Sequence, residues 1–278
     1  MVVISERSVE KLVRDVVPKV AMLTNWSYDL GELKIRIINR SQLWEHGFKP
    51  KYDYLGISTE TKTDSGKQTL SMYKNIFSFF TAALYEPSCD TLFVVANNAR
   101  FDTNESGLTV LLGHELVHRG QFTQNPQFTK QYFSLVKKQY GSLAFEEDEH
   151  EDKSFGKYLQ SLMTIVEGDA SFVESQLKKM YYQDASYKCA GIALWVSSAV
   201  LLASLANGDS KSGLLGKLSQ YTAGEKIIKR VYEDSGRKLV NCIYKKDFQR
   251  IHDIVEAGNN GAISLLRDLT SRLGYGRR

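Results

Sequence analysis

The sequence predicts an α+β protein, mostly helical, with a small sheet near the front of the chain. Three observations predict it. Apolar residues recur three and four positions apart through most of the 278 residues, the spacing of amphipathic helices. Two segments, residues 33–38 and 91–96, read as strands instead. Strands and helices do not alternate along the chain, which excludes a doubly wound sheet.

Residues 7–25 place Val9, Leu12, Val13, Val16, Val17 and Val20 along one helix face, with Pro18 expected to end or kink that helix. Residues 33–38 (LKIRII) alternate apolar and charged side chains, as a half-buried strand does. The polar stretch 58–69 reads as a loop and 70–84 as a helix. After a turn at Pro87 and Asp90, residues 91–96 (TLFVVA) form a second short strand. Its position just before the next helix makes it the expected edge to which an extended peptide adds. Residues 106–124 read as a buried helix, and Pro126 opens an amphipathic one reaching about residue 140. The acidic run 146–152 (EEDEHED), which includes His150, is a solvated loop, and a long helical pattern covers 155–182.

Residues 189–208 carry no charge, over a length of about 20 residues that could cross a bilayer. Ser197, Ser198 and Ser204, with many Ala and Gly, keep the segment only modestly apolar, so a buried helix is expected and membrane association is the alternative. Helical segments complete the chain. The division is an N-terminal α+β part, residues 1–125, and a helical part, residues 126–278, joined as one continuous unit.

Composition removes several classes. With 42% hydrophobic and 24% charged residues the chain is neither disordered, collagenous nor disulfide-framed. The net charge of +4 is too small to direct it to nucleic acid or an anionic membrane. Cys89, Cys189 and Cys242 are far apart and read as reduced core thiols. Glu6, Arg7, Glu10 and Lys11 do not suit a secretory signal, so a cytoplasmic location is expected. Nothing in these residues sets the oligomeric state.

Of five histidines, two fall four residues apart in the string HELVH, residues 114–118. Residues i and i+4 share one helix face, so His114 and His118 can reach a single cation, and Glu115 projects beside it. This is the arrangement in which zinc is held by imidazole nitrogens and a glutamate takes the proton of a metal-bound water as it attacks a carbonyl. Two histidines do not hold zinc alone, and residues 121 and 124, both Gln, supply no downstream histidine. The candidate third ligand is Glu167 in MTIVEGDASFVES. It borders the apolar arc of Phe155, Leu159, Leu162, Val166, Ala170, Val173 and Leu177, and Asp169 falls within that arc. Buried carboxylates need partners, which makes Glu167 a ligand and Asp169 a residue that orients a histidine. The two roles can be exchanged, and Glu174 is a further candidate.

The strings GHELVHRGQF and MTIVEGDASFVES resemble the prokaryotic zincin-like metallopeptidases of gluzincin type, in particular the deazaflavin-biosynthesis-associated group. The later stretch LLGKLSQYTAGEKIIKRVYEDSG is similar to a third block of that group, and the resemblance covers about residues 92–246. It implies a zincin-like fold, with a small N-terminal sheet packed on the active-site helix and helices following. It implies zinc on His114, His118 and Glu167, and Glu115 as general base. The uncharged segment 190–206 and the lack of a proline-rich close after Tyr244 depart from the group.

A donor for the developing oxyanion completes such sites; Tyr221, in the matched block, is the candidate, with His252 as an alternative. His46, beside Trp44 and Gly47, has no partner spacing. The expected function is therefore a zinc-dependent metallopeptidase acting on a peptide or protein substrate. A non-catalytic zincin-like protein serving binding or membrane association is the alternative, and the retained Glu115 favours the enzyme.

Overall fold

Helix α1, Glu6–Thr24, starts where Ser5 and Ser8 cap one another and ends at Asn25, whose φ of 55° stops the helix. It runs through Pro18. The carbonyl that a proline deprives of a partner belongs to residue 14, and both Arg14 and Pro18 are exposed, so that carbonyl lies on the solvent side of the helix. The computed structural model describes residues 4–58, 81–96, 103–143, 154–186, 214–258 and 261–265. The expected loop 58–69 and helix 70–84 lie mostly outside these residues, as do the acidic run 146–152 and the uncharged segment 189–208.

Strand β1, Lys34–Ile38, leads through a tight 3-10 turn, Arg40–Gln42, and a wide π-helical turn, Trp44–Phe48, into a short helix, α2, Lys49–Leu55. Strands β2, Ala83–Glu86, and β3, Thr91–Val95, follow. The sheet order is β1-β3-β2, with β1 parallel and β2 antiparallel to β3. Two expectations are corrected here. Residues 83 and 84, assigned to the end of a helix, open strand β2, because the turn through Pro87 and Asp90 (φ 43°) folds the chain back and sets Leu84 opposite Phe93. Residues 91–95 are not an edge. Strand β3 is paired on both sides and buried at all five positions, which leaves no free backbone to receive a peptide.

The helices that follow are α3 (Glu105–Thr123), α4 (Pro126–Leu143), α5 (Ser154–Met180), α6 (Leu214–Ile243) and α7 (Phe248–Glu256). Among the described residues no helix is long and apolar enough to cross a membrane. The Asn104 side chain caps α3 at Gly107. Fourteen of the 19 residues of α3 are buried, which makes it an interior helix rather than a surface one. Helices α1 and α5 and strand β2 pack around it. One apolar cluster runs from Val9 in α1 through Leu116 in α3 and Val166 in α5 to Ile228 in α6.

Helices α5 and α6 make the most extensive helix pairing, and their backbones nearly touch. A Cβ on Gly168 would lie 2.2 Å from the Gly224 carbonyl carbon, and one on Gly224 would lie 2.0 Å from the Thr164 oxygen. Only glycine fits either side of this crossing. Helix α6 then breaks at Gly236, where φ 71° and ψ −176° fall in a region that residues with a side chain avoid. The hairpin is fastened to α3 by Arg119, which is ion-paired to Asp90 at 2.8 Å, while the Tyr85 hydroxyl donates to the same carboxylate at 2.9 Å. Burial raises the Asp90 carboxyl, but the bonds from Arg119 and Tyr85 outweigh it and hold the group below its ordinary value.

Two outcomes are expected. Gly168→Ala lowers stability to urea by about 1–3 kcal/mol, the usual cost of overpacking, because the Gly224 backbone cannot retreat as a flexible side chain would. In acid, Asp90 contributes stability that is complete above the ordinary carboxylate range and lost as pH falls through its depressed folded value. Urea titrations across that range show a smaller acid loss in Arg119→Gln than in the wild type; an equal loss contradicts the assignment.

Candidate metal centre

The two histidines of α3 point the same way because they are one turn apart, and α5 brings Glu167 across to them. The Nε2 atoms of His114 and His118 lie 3.2 Å apart. Glu167 Oε2 is 3.6 Å from the first and 3.5 Å from the second. All three residues are buried, with exposures of 8%, 9% and 6%. Two ring nitrogens and a carboxylate oxygen form a nearly equilateral triangle, and such a group could hold a metal ion.

The other nitrogen of each ring is also taken. His114 Nδ1 lies 2.8 Å from Glu174 Oε2, and His118 Nδ1 lies 2.8 Å from Gln121 Oε1. Glu174 is seven residues beyond Glu167, two turns along the same face of α5, so one helix supplies both a triangle atom and a support for His114. Burial lowers the His114 ring's proton affinity, but hydrogen bonds to Glu167 and Glu174 outweigh that and hold it well above its ordinary value. The triangle is therefore a place that attracts positive charge.

Glu115 leaves the triangle on the side of the sheet. Val95 N donates to the Ala82 carbonyl, which fixes the alternation of the β2–β3 ladder and turns the Tyr85 N–H away from β3. Glu115 Oε2 accepts that N–H at 2.7 Å. The glutamate is only half-buried, unlike the histidines on either side of it.

Asp169 is fully buried, but it does not touch a histidine. Its carboxylate accepts both terminal nitrogens of Arg237, one at 2.7 Å, and the Tyr244 hydroxyl at 2.7 Å. Burial opposes the charge on Arg237, and the Asp169 carboxylate outweighs it and raises the guanidinium's proton affinity further. Arg237 also donates to the Thr24 carbonyl at the end of α1 and stacks on Trp26. Asp169 is linked to His118 through Tyr244 and Gln121, since Gln121 Nε2 donates to the Tyr244 hydroxyl at 2.9 Å.

Glu174, the weaker ligand candidate, supports His114 instead of joining the triangle. Tyr221 lies in α6, and its side chain is outside the described residues. His252 bonds Ser161 at 2.8 Å beside a cavity of about 350 Å³ at the seam of α5 and α7. His46 is exposed in the turn after β1. The sequence reading missed Gln121, Arg237 and Tyr244. Gln121 had a readable signal, because a residue three beyond His118 lies over the same helix face; Arg237 and Tyr244 had none, being brought in by the break at Gly236.

No family model and no curated protein matches the sequence. A similar solved structure is that of a candidate hydrolase with a novel fold from Chloroflexus aurantiacus. The alignment has a TM-score of 0.60 and 15% identity, over 95% of this chain and 90% of that one. At this identity the likeness shows the fold alone.

The buried Asp169–Arg237 pair generates a prediction. Asp169→Leu strands a buried guanidinium and costs about 3–5 kcal/mol in chemical denaturation, whereas Asp169→Leu with Arg237→Leu recovers much of the loss. If the double variant is the less stable by the full sum of the two single losses, the pair is not coupled as described.

Proposed function

We propose that this chain is a zinc-dependent metallopeptidase of the zincin-like, gluzincin type. One observation carries the reading: the triangle of His114 Nε2, His118 Nε2 and Glu167 Oε2, with sides of 3.2, 3.5 and 3.6 Å. Bonds of about 2.0–2.1 Å in tetrahedral geometry separate neighbouring ligand atoms by roughly 3.3–3.4 Å. The three atoms thus fit one face of a zinc tetrahedron, and three protein ligands leave the fourth position for chemistry. The motif order HELVH then EGD, and a fold like that of a candidate hydrolase, support the same reading.

A zinc ion held by these residues would supply a Lewis acid that polarises a carbonyl and acidifies water. The chain's own residues do the rest. Glu115 accepts the proton of the attacking water at a carboxylate oxygen and returns it to the amine nitrogen as the C–N bond breaks. Glu174 and Gln121 hold the two rings by their Nδ1 atoms, so that both Nε2 atoms stay directed at the centre. The substrate is an extended peptide lying along the outward edge of β2, where Tyr85 N–H passes from Glu115 to a substrate carbonyl.

Purified protein is expected to hold about one zinc per chain by metal analysis. His114→Ala and Glu167→Ala lose it. Glu115→Gln keeps the zinc yet cleaves a mixed peptide library about 10²–10⁴-fold more slowly, as removal of a general base does. Absence of stoichiometric zinc in the wild type, or equal cleavage by Glu115→Gln, overturns the assignment.

A further inference from the structure

Gln121 is 0% exposed and has every hydrogen-bonding atom of its side chain engaged. Its amide carries two hydrogens and one oxygen. Nε2 donates to the Val166 carbonyl at 2.9 Å and to the Tyr244 hydroxyl at 2.9 Å, and Oε1 faces His118 Nδ1 at 2.8 Å. The direction of this chain is forced from its far end. The Asp169 carboxylate, already gripped by Arg237, takes the Tyr244 hydroxyl hydrogen at 2.7 Å. The phenol oxygen then has only lone pairs to offer Gln121. The Val166 carbonyl, the backbone group just before Glu167, likewise only accepts. A reversed amide would set its oxygen against both acceptors in a buried site, at a cost of several unmade hydrogen bonds. The oxygen therefore faces His118, whose Nδ1 must carry the hydrogen. Its Nε2 presents a lone pair toward Glu167 and His114. Burial and the Asp169 charge push the Tyr244 phenol far above its ordinary value, so the donor keeps its proton.

We propose that Tyr244, acting through Gln121, is a positioning residue for metal binding, which holds His118 in the tautomer whose Nε2 takes the ion. The proposal rests on the metal reading above. It extends the site beyond the HELVH helix to the chain after Gly236, where Arg237 in the last part of α6 and Tyr244 just past its end anchor the far end of the chain of bonds. A tie that merely packed helices together would change stability and leave metal affinity alone.

The test is zinc affinity by competition with a chelator, together with nitrogen-15 NMR of the histidines in zinc-loaded wild type. Gln121→Leu is expected to weaken zinc binding about 10–100-fold, the usual effect of losing such a support. Tyr244→Phe, which keeps the Val166 bond, weakens it about tenfold, at the low end of that range. Tyr28→Phe removes another, partly buried hydroxyl, one bonded to Thr24 and not to Gln121, and leaves affinity unchanged. In the wild type, His118 binds zinc through Nε2 and shows a slowly exchanging Nδ1–H. Equal zinc affinity in folded Gln121→Leu and Tyr244→Phe, or coordination of His118 through Nδ1, overturns the proposal. If Tyr244→Phe fails to fold, the nitrogen assignment in the wild type decides. A wild type that binds no zinc overturns the metal reading itself, a result distinct from variants that all bind it equally.

Discussion

Helix α5 has to carry two buried carboxylates two residues apart, and the rest of the molecule is arranged around satisfying both. Burying a carboxylate costs several kcal/mol unless charge or hydrogen bonds replace the lost water. Two positions on a helix are about 200° apart, so no single neighbour can serve both. Glu167 faces the histidines of α3. Asp169 faces α6 and is met by Arg237 and Tyr244. The crossing of Gly168 against Gly224 lies between these two acids in the sequence, and its lack of side chains lets α6 come close enough to α5. The tight crossing and the buried ion pair are thus one constraint seen twice.

The two acids are matched in different ways. Asp169 has a permanent cation with a guanidinium geometry suited to two carboxylate oxygens, so its environment is closed and structural. Glu167 has imidazoles, whose charge depends on protons, and Glu115 and Glu174 stand near the same rings. That gathering of carboxylates around two imidazoles favours positive charge, and His114, His118 and Glu167 could hold a metal ion there. It also explains why His114 is driven toward its protonated form when only protons are at hand.

Most of the helices and much of this site were legible in the sequence, and the remainder had identifiable reasons to be hidden. His114, His118 and Glu115 were readable because helix geometry fixes neighbours at four and one positions. Glu167 was readable because a charge on the border of an apolar arc calls for a partner. The partner of Asp169 was not, since Arg237 lies 68 positions away and arrives only after a glycine break in α6 that no periodicity announces. Strand β2 was hidden because its first two residues, Ala83 and Leu84, close an apolar run that reads as helix, and pairing with β3 overrides that local preference. Pro18 misled in the opposite direction: a proline on the wet face of a helix costs one bond, at a carbonyl on the solvent side.

The choice of an amide at residue 121 follows from the same charge count. A carboxylate there would orient His118 as well as Gln121 does, and a glutamate already does so for His114. It would also add another negative charge beside Glu115, Glu167 and Glu174, in a place where each uncompensated charge is costly. A glutamate could not donate to the Val166 carbonyl either, so the tie to the backbone of the Glu167 segment would become a repulsion. Glutamine supplies an acceptor for the ring and donors for the two oxygens behind it without changing the charge. The orientation of one imidazole is thereby set by neutral hydrogen bonds running back to a buried ion pair, while the other is set by charge. The two histidines of α3 differ in electronic character although the motif makes them look alike.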